Sequence, residues 1–246
     1  MDGVPGGEGL PRFVAGPAVS EITVVHSSDL HIDSRTSDSF HPLCKVLATA
    51  RGLQADVLLL AGDIFDHNRL PLALIDRAAR LLGDASIPVV ILPGNHDCLS
   101  TESVYRRGGI ADVPNVYVIG VSAEEAVLLP EHGLEVWGRA HFDYRNMSPL
   151  SQTRPRTTRL QIAMAHGHWM RGPGDRHRGW LIHTEEVAAT QADYVALGHW
   201  PQAQRVGDGT VPAYYSGSPD LAGTVNVVRL GGRGGAHVRR ARILTD

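Results

Sequence analysis

Four short stretches constrain this chain more than anything else in it. They are "DVLLLAG" (56–62), "IPVVILPG" (87–94), "LQIAMAHG" (160–167) and "YVALG" (194–198). Each is apolar without alternation, too short for a core helix, and bounded by turn residues. Such runs read as strands buried on both faces, which belong to layered α/β folds rather than to one-sided antiparallel sheets. "EITVVHS" (21–27) reads as a fifth strand. Between the strands lie helical patterns. "FHPLCKVLATARGLQA" (40–55) is one; residues 70–83 are another, with Leu74, Ala78, Leu81 and Leu82 at helical spacing and Gly83 read as a C-terminal cap. Short strands at 116–138 read as a meander. Strands and turns follow Thr210, and the late strands predict a second, more antiparallel sheet. With 246 residues and no repeat or linker, the expectation is one domain over 21–246. The glycine- and proline-rich first twenty residues read as disordered.

Every strand ends in a polar cluster. Asp29 and His31 follow "ITVVHSS". "GDIFD" supplies Asp63 and Asp66, and "GNHD" supplies Asn95, His96 and Asp97. "HGH" supplies His166 and His168, and "GH" supplies His199. In open α/β sheets, sites form outside the carboxyl ends of the strands, so the five clusters are expected on one edge. An extended 29–31 segment would put Asp29 and His31 on the same side. Carboxylate, amide and imidazole ligands without a thiolate suit manganese, iron or zinc. Asp63, between two groups of ligands, is the natural bridge for two ions about 3.5–4 Å apart, a standard arrangement for phosphoester cleavage.

Charge and cysteine content exclude other classes. The net charge is −3 with histidine neutral, not the balance of a protein held to a long nucleic-acid backbone. Lys45 is the one lysine, so the positive charge is nearly all arginine. Two cysteines, Cys44 and Cys98, make no disulfide framework and fit a reducing cytoplasm. No apolar run approaches a membrane span, and the N-terminus is not a signal peptide.

The order DxH, GDxxD, GNHD, H, GH resembles the calcineurin-like metallophosphoesterase superfamily. "GDIFDHNRLP", "PGNHD", "DYVALGH" and "YYSGSPD" further resemble its DNA-repair exonuclease branch, over roughly residues 21–230. The resemblance implies a four-layer α/β/β/α sandwich of two mixed β-sheets flanked by helices. It implies two divalent metal ions, manganese first and iron or zinc next. One is held by Asp29, His31 and Asp63, the other by Asp63, Asn95, His166 and His199. A metal-bridging hydroxide would attack phosphorus, His96 would protonate the leaving oxygen, Asp97 would orient His96, and Asp66 would support the metal shell. The substrate would be a phosphodiester, a nucleotide or a short nucleic-acid end.

One position departs from the pattern. The family closes its last motif as GHxH, and here the second histidine is Pro201. The first metal therefore loses one ligand of four and is expected to bind more weakly, with Gln202 or His67 as possible substitutes. His168 competes with His166 as ligand. His141 and Ser218 are candidate substrate contacts, and Trp169 and Trp200 flank ligand histidines. His26 reads as structural and Cys98 as an ordinary thiol. Arg154, Arg156, Arg159, Arg171, Arg176 and Arg178 read as a solvated loop or, in competition, a phosphate rim beside His166. The branch's C-terminal segments for an ATPase partner are not expected in a chain that stops at Asp246. Two rivals stand beside the diesterase reading: a phosphomonoesterase on a small metabolite, and a degenerate binding protein on the same fold.

Overall fold

The computed structural model describes residues 21–36, 38–172, 174–175, 179–232 and 234–244. The expectation of disorder over 1–20 and the readings of Arg176 and Arg178 lie outside these residues.

The buried runs form strands almost where periodicity puts them. The first sheet contains β1 (Ile22–Ser27), β2 (Val57–Ala61), β3 (Val89–Leu92) and β4 (Val116–Val118), all parallel. The second contains β5 (Ala126–Leu129), β6 (Leu134–Gly138) and β7 (Leu160–His166). A two-stranded ribbon, β8 (His168–Trp169) and β9 (Leu181–Ile182), stands apart. β10 (Tyr194–Gly198), β11 (Gln204–Val206) and β12 (Ala213–Tyr215) complete the second sheet. β13 (Thr224–Leu230) and β14 (His237–Arg242) return to the first. The strand orders are β14-β13-β1-β2-β3-β4 and β11-β12-β10-β7-β6-β5. Both sheets are parallel at the centre, with antiparallel strands at β13–β14 and at β5 and β11.

Two expectations are corrected here. Residues 116–138 are no meander, because β4 pairs parallel with β3 while β5 and β6 form a hairpin in the other sheet. The late strands do not make up the second sheet, since β13 and β14 extend the first. Strand pairing is a long-range choice that local pattern does not record.

The sheets stack face to face, which explains the absence of alternation. In β7, Ile162 and Met164 join the large core between the sheets, while Ala163 and Ala165 join a second core outside. β10 divides likewise, Tyr194 and Ala196 inward and Val195 and Leu197 outward. Helices α1 (His41–Gly52) and α2 (Leu72–Gly83) cover the first sheet with Leu43, Val46, Ile75 and Leu82. Gly83 is the last residue of α2 rather than its left-handed cap; Asp84 follows in right-handed helical conformation. The second sheet's outer face carries less, chiefly Val187 of the short α4 (Thr184–Ala189), following the four-residue α3 (Val104–Arg107) in chain order. Helix α5 (Pro219–Ala222) leads into β13. The layers are those of the expected α/β/β/α sandwich.

Because β1, β2, β3, β7 and β10 run parallel within their sheets, their carboxyl ends deliver Asp29, Asp63, Asn95, His166 and His199 to one edge. The two sheets meet there: His166 Nδ1 lies 2.8 Å from the Ala61 carbonyl at the end of β2.

Candidate metal centre

The loops at this edge are built on unusual backbone. Asp29 (φ 56°), His31 (φ 48°), Asp63 (φ 53°) and His199 (φ 101°) all have positive φ. For residues other than glycine this costs on the order of 1 kcal/mol or more, and it persists only where the surroundings over-determine it. Here they do. Asp29 N donates to Gly62 O (3.0 Å), His31 N to Asp63 O (3.1 Å) and Ile32 N to Ile64 O (2.9 Å). The 29–31 segment is therefore not the extended continuation of β1. Two left-handed residues turn it along the 62–64 loop.

Asp63 stands at the centre, 2 % exposed. Its Oδ1 accepts His96 N (2.9 Å), and its Oδ2 lies 3.0 Å from His166 Nε2. Two groups of ligand atoms share it. One is Asp63, His166 and His199, the other His31, Asp63 and His96, each set lying within 4.8 Å of one another. Asn95 joins the first group, its Oδ1 lying 3.0 Å from His166 Nε2 and 3.2 Å from His199 Nδ1. With Nδ1–H donating to Ala61 O, a neutral His166 turns the lone pair of Nε2 toward Asp63 Oδ2 and Asn95 Oδ1. Lone pairs converging in this way repel one another unless a cation stands among them, so the donor set fits a divalent ion.

The electrostatics point the same way. Burial disfavours charge on His166, but the Asp63 carboxylate beside it overrides this and raises its pKa to about 9, so a proton on Nε2 does a cation's work. His199 is lowered to about 3 by burial and then by His166, leaving it neutral and able to ligate. Asp63 is held well below the usual carboxylate range: burial opposes this, and the charge of His166 and its hydrogen bond prevail.

The other expected residues fall differently. Asp29 lies outside both groups. Its two oxygens each receive His199 N at 3.1 Å, and it accepts from Ser28 Oγ. Burial raises its pKa to about 6. Asp97 does not touch His96. Fully buried, it accepts Gly94 N (2.7 Å), Ile64 N (2.8 Å), Phe65 N (3.2 Å) and Tyr105 Oη (2.6 Å), clipping two loops and α3 together. His96 is oriented instead by Asp66, whose carbonyl lies 2.8 Å from its Nδ1. Asp66 Oδ1 is 3.3 Å from His31 Nδ1 and 3.7 Å from His96 Nδ1, while Oδ2 accepts from Arg35 (2.6 Å). His67 turns onto its own loop, accepting Arg69 N at 3.1 Å. His168 pairs with Asp175 at 2.7 Å and is not in the ligand groups, so the choice of His166 over it stands in the geometry.

His141 is fully buried beneath the centre, its Nε2 2.8 Å from His166 O; burial and then His166 lower its pKa to about 4. Ser218 N donates to Pro201 O (3.1 Å). Trp169 hydrogen-bonds Tyr215 Oη through its backbone, and Trp200 is edge-on to His168. Arg154 and Arg156 pair with Glu135 and Asp193, at the amino ends of β6 and β10, away from His166. They clip a loop and form no phosphate rim beside the centre.

Three participants carried no usable signal in the sequence. Arg35 fixes Asp66, Tyr105 fixes Asp97, and Trp180 lies edge-on to His199 (5.8 Å) and His141 (5.6 Å). Each is recognisable only by what it packs against.

The comparisons agree with this geometry. A model of the calcineurin-like phosphoesterase family matches residues 22–203. The chain is 25 % identical over 224 residues to the DNA double-strand break repair protein Mre11 of Aeropyrum pernix, covering 80 % of this chain and 53 % of that protein. It is 26 % identical over 242 residues to the SbcD component of the SbcCD nuclease of Escherichia coli K12, covering 80 % and 60 %. The chain thus spans little more than half the length of these relatives. The solved structure of TT1561 of Thermus thermophilus shares the fold, with a TM-score of 0.60 at 14 % identity over 92 % of this chain and all of that one. With the family model spanning most of the chain and two mixed sheets presenting its ligand clusters on one edge, the chain belongs to the calcineurin-like phosphoesterase family.

Proposed function

We propose that the protein is a divalent-metal-dependent phosphoesterase that hydrolyses phosphodiesters, with nucleotides or short nucleic-acid ends as substrates. The observation that carries this is the meeting of two ligand groups on one carboxylate, Asp63. When bound, two divalent ions supply a water deprotonated near neutral pH and neutralise charge on the phosphoryl oxygens. The chain's residues prepare that chemistry. Asp63 offers one oxygen to each group. Ala61 O holds the proton of His166 on Nδ1 and leaves Nε2 bare. His199 stays neutral, and Trp180 screens it from one side. Oxygen and imidazole donors without thiolate favour manganese, then iron or zinc. Cys44 and Cys98 are free thiols, consistent with work in a reducing cytoplasm. The lean toward diesters rests on the relatives, which are named as a DNA-repair protein and a nuclease component.

The rival from another class, a binding protein on the same fold, rests on Pro201. Metal-stripped protein assayed with manganese on bis-p-nitrophenyl phosphate, with Asp63→Asn beside it, separates the readings. Turnover that needs both metal and Asp63 supports the diesterase. Turnover of p-nitrophenyl phosphate alone makes it a monoesterase. No turnover of either ester, with none gained by Pro201→His, favours the binding protein.

A further inference from the structure

The resemblance gives the first metal four ligands and gives His96 the role of proton donor. This chain fits neither statement. Pro201 has no donor in its side chain, and its carbonyl is taken by Ser218 N. Asp29 is committed to His199 N and Ser28. Gln202 is exposed, and His67 faces Arg69 N; neither belongs to a ligand group. What does face His31 and Asp63 is His96.

We propose that His96 is a ligand of the first metal ion, completing with His31 and Asp63 the set that Pro201 leaves short. The assignment rests on the two-metal reading above. Three observations support it. The ligand atoms of His31, Asp63 and His96 converge within 4.8 Å, and the two imidazoles stand edge to face with centroids 4.8 Å apart, so neither ring blocks the other. His96 N is hydrogen-bonded to Asp63 Oδ1, which fixes the residue against the shared carboxylate, while Asp63 Oδ2 faces the other group. Asp66 backs both rings, with its carbonyl on His96 Nδ1 and its carboxylate near both Nδ1 atoms. A carboxylate or carbonyl behind the far nitrogen is the usual outer partner of a metal-bound histidine, because it fixes the tautomer and leaves Nε2 bare. Arg35 holds Asp66 in turn. Two imidazoles and a carboxylate are a set that first-row divalent ions accept. A His96 bound in this way has no Nε2 proton to give, so the leaving oxygen departs unassisted by it, and esters of weakly basic alcohols become the better substrates.

The test is manganese binding, not activity. Metal-stripped wild type, His96→Ala and His96→Ala/Pro201→His are titrated calorimetrically, with circular dichroism to verify folding. The expected result is two ions in the wild type. In His96→Ala one site weakens by about tenfold or more, and Pro201→His restores it. Pulsed electron paramagnetic resonance on histidine-labelled wild type gives a second reading, with two imidazole nitrogens on the weaker-binding ion and one after His96→Ala. Two ions bound by His96→Ala with wild-type affinity would overturn the assignment while leaving the two-metal reading intact. A folded wild type that binds no divalent ion removes both.

Discussion

Glycines decide how close the two sheets come at the metal edge. A Cβ on Gly62, whose φ is +88°, would sit 2.1 Å from His166 Nδ1, and one on Gly198 would sit 1.8 Å from Ala61 O. Both neighbours belong to the hydrogen bond that fixes the His166 tautomer. Gly62→Ala is therefore expected to destabilise the protein by roughly 2 kcal/mol or more and to weaken manganese binding at least tenfold. Gly223→Ala is the control: its φ is +62° with nothing within 4 Å, so it carries backbone strain alone, about 1 kcal/mol. Urea unfolding and metal titration check both, and equal effects in the two variants would refute the collision. At this scale much was legible. The types and order of Asp63, Asn95, His166 and His199 named the second metal's ligands. Asp29 was misjudged because its role depends on φ 56° and on His199 N, neither of which is a property of its neighbours in sequence.

Among the elements, the loops matter more than the strands they follow. Asp97 takes four hydrogen bonds from the β2–α2 loop, its own loop and α3, so it sets where Asp63 and Asn95 stand relative to each other. Burial and then Asp63 raise its pKa, against the donors that stabilise its charge. Asp97→Ala would strand three buried backbone N–H groups and the Tyr105 hydroxyl, a loss of order 3 kcal/mol or more. Tyr105→Phe removes one charge-assisted bond and should cost about 1–2 kcal/mol. Were Asp97 only an orienter of His96, Tyr105→Phe would leave the urea midpoint unchanged. The strands and long helices were readable because period and length are local properties. Their partners were not: "VYVIG" looks the same whether β4 joins β3 or β5, and only the packing of the finished sheets decides.

The whole molecule is two sheets held by an apolar core with one polar crossing. His26 of β1 meets the Tyr194 hydroxyl of β10 at 2.9 Å, and Asn226 of β13 reaches the Tyr215 carbonyl of β12 at 3.2 Å. Burial lowers the pKa of His26 to about 3, despite a bond to the Leu197 backbone that raises it. His141 and His199 are lowered likewise, to about 4 and about 3. In the unfolded chain these three take up protons near pH 6.5, while in the fold they do not. Asp29 runs the other way, its folded pKa of about 6 lying above its unfolded value. Between pH 6 and 4 the unfolded chain therefore binds about two more protons, and stability falls as pH falls, by roughly 2.7 kcal/mol per unit. On the alkaline side only His166 works among these groups. Its folded pKa of about 9 means its contribution is present below pH 6.5 and lost as pH rises through 9, roughly 1.4 kcal/mol per unit. Metal-stripped protein should thus be most stable near pH 6.5. A bound ion replaces the His166 proton and should abolish the alkaline limb while leaving the acid one. Urea unfolding at pH 5, 6.5 and 8, with and without manganese, measures both limbs. A flat profile from pH 6.5 to 5 would mean that the buried histidines are protonated in the fold, and an alkaline limb that survives metal would remove the ion from His166.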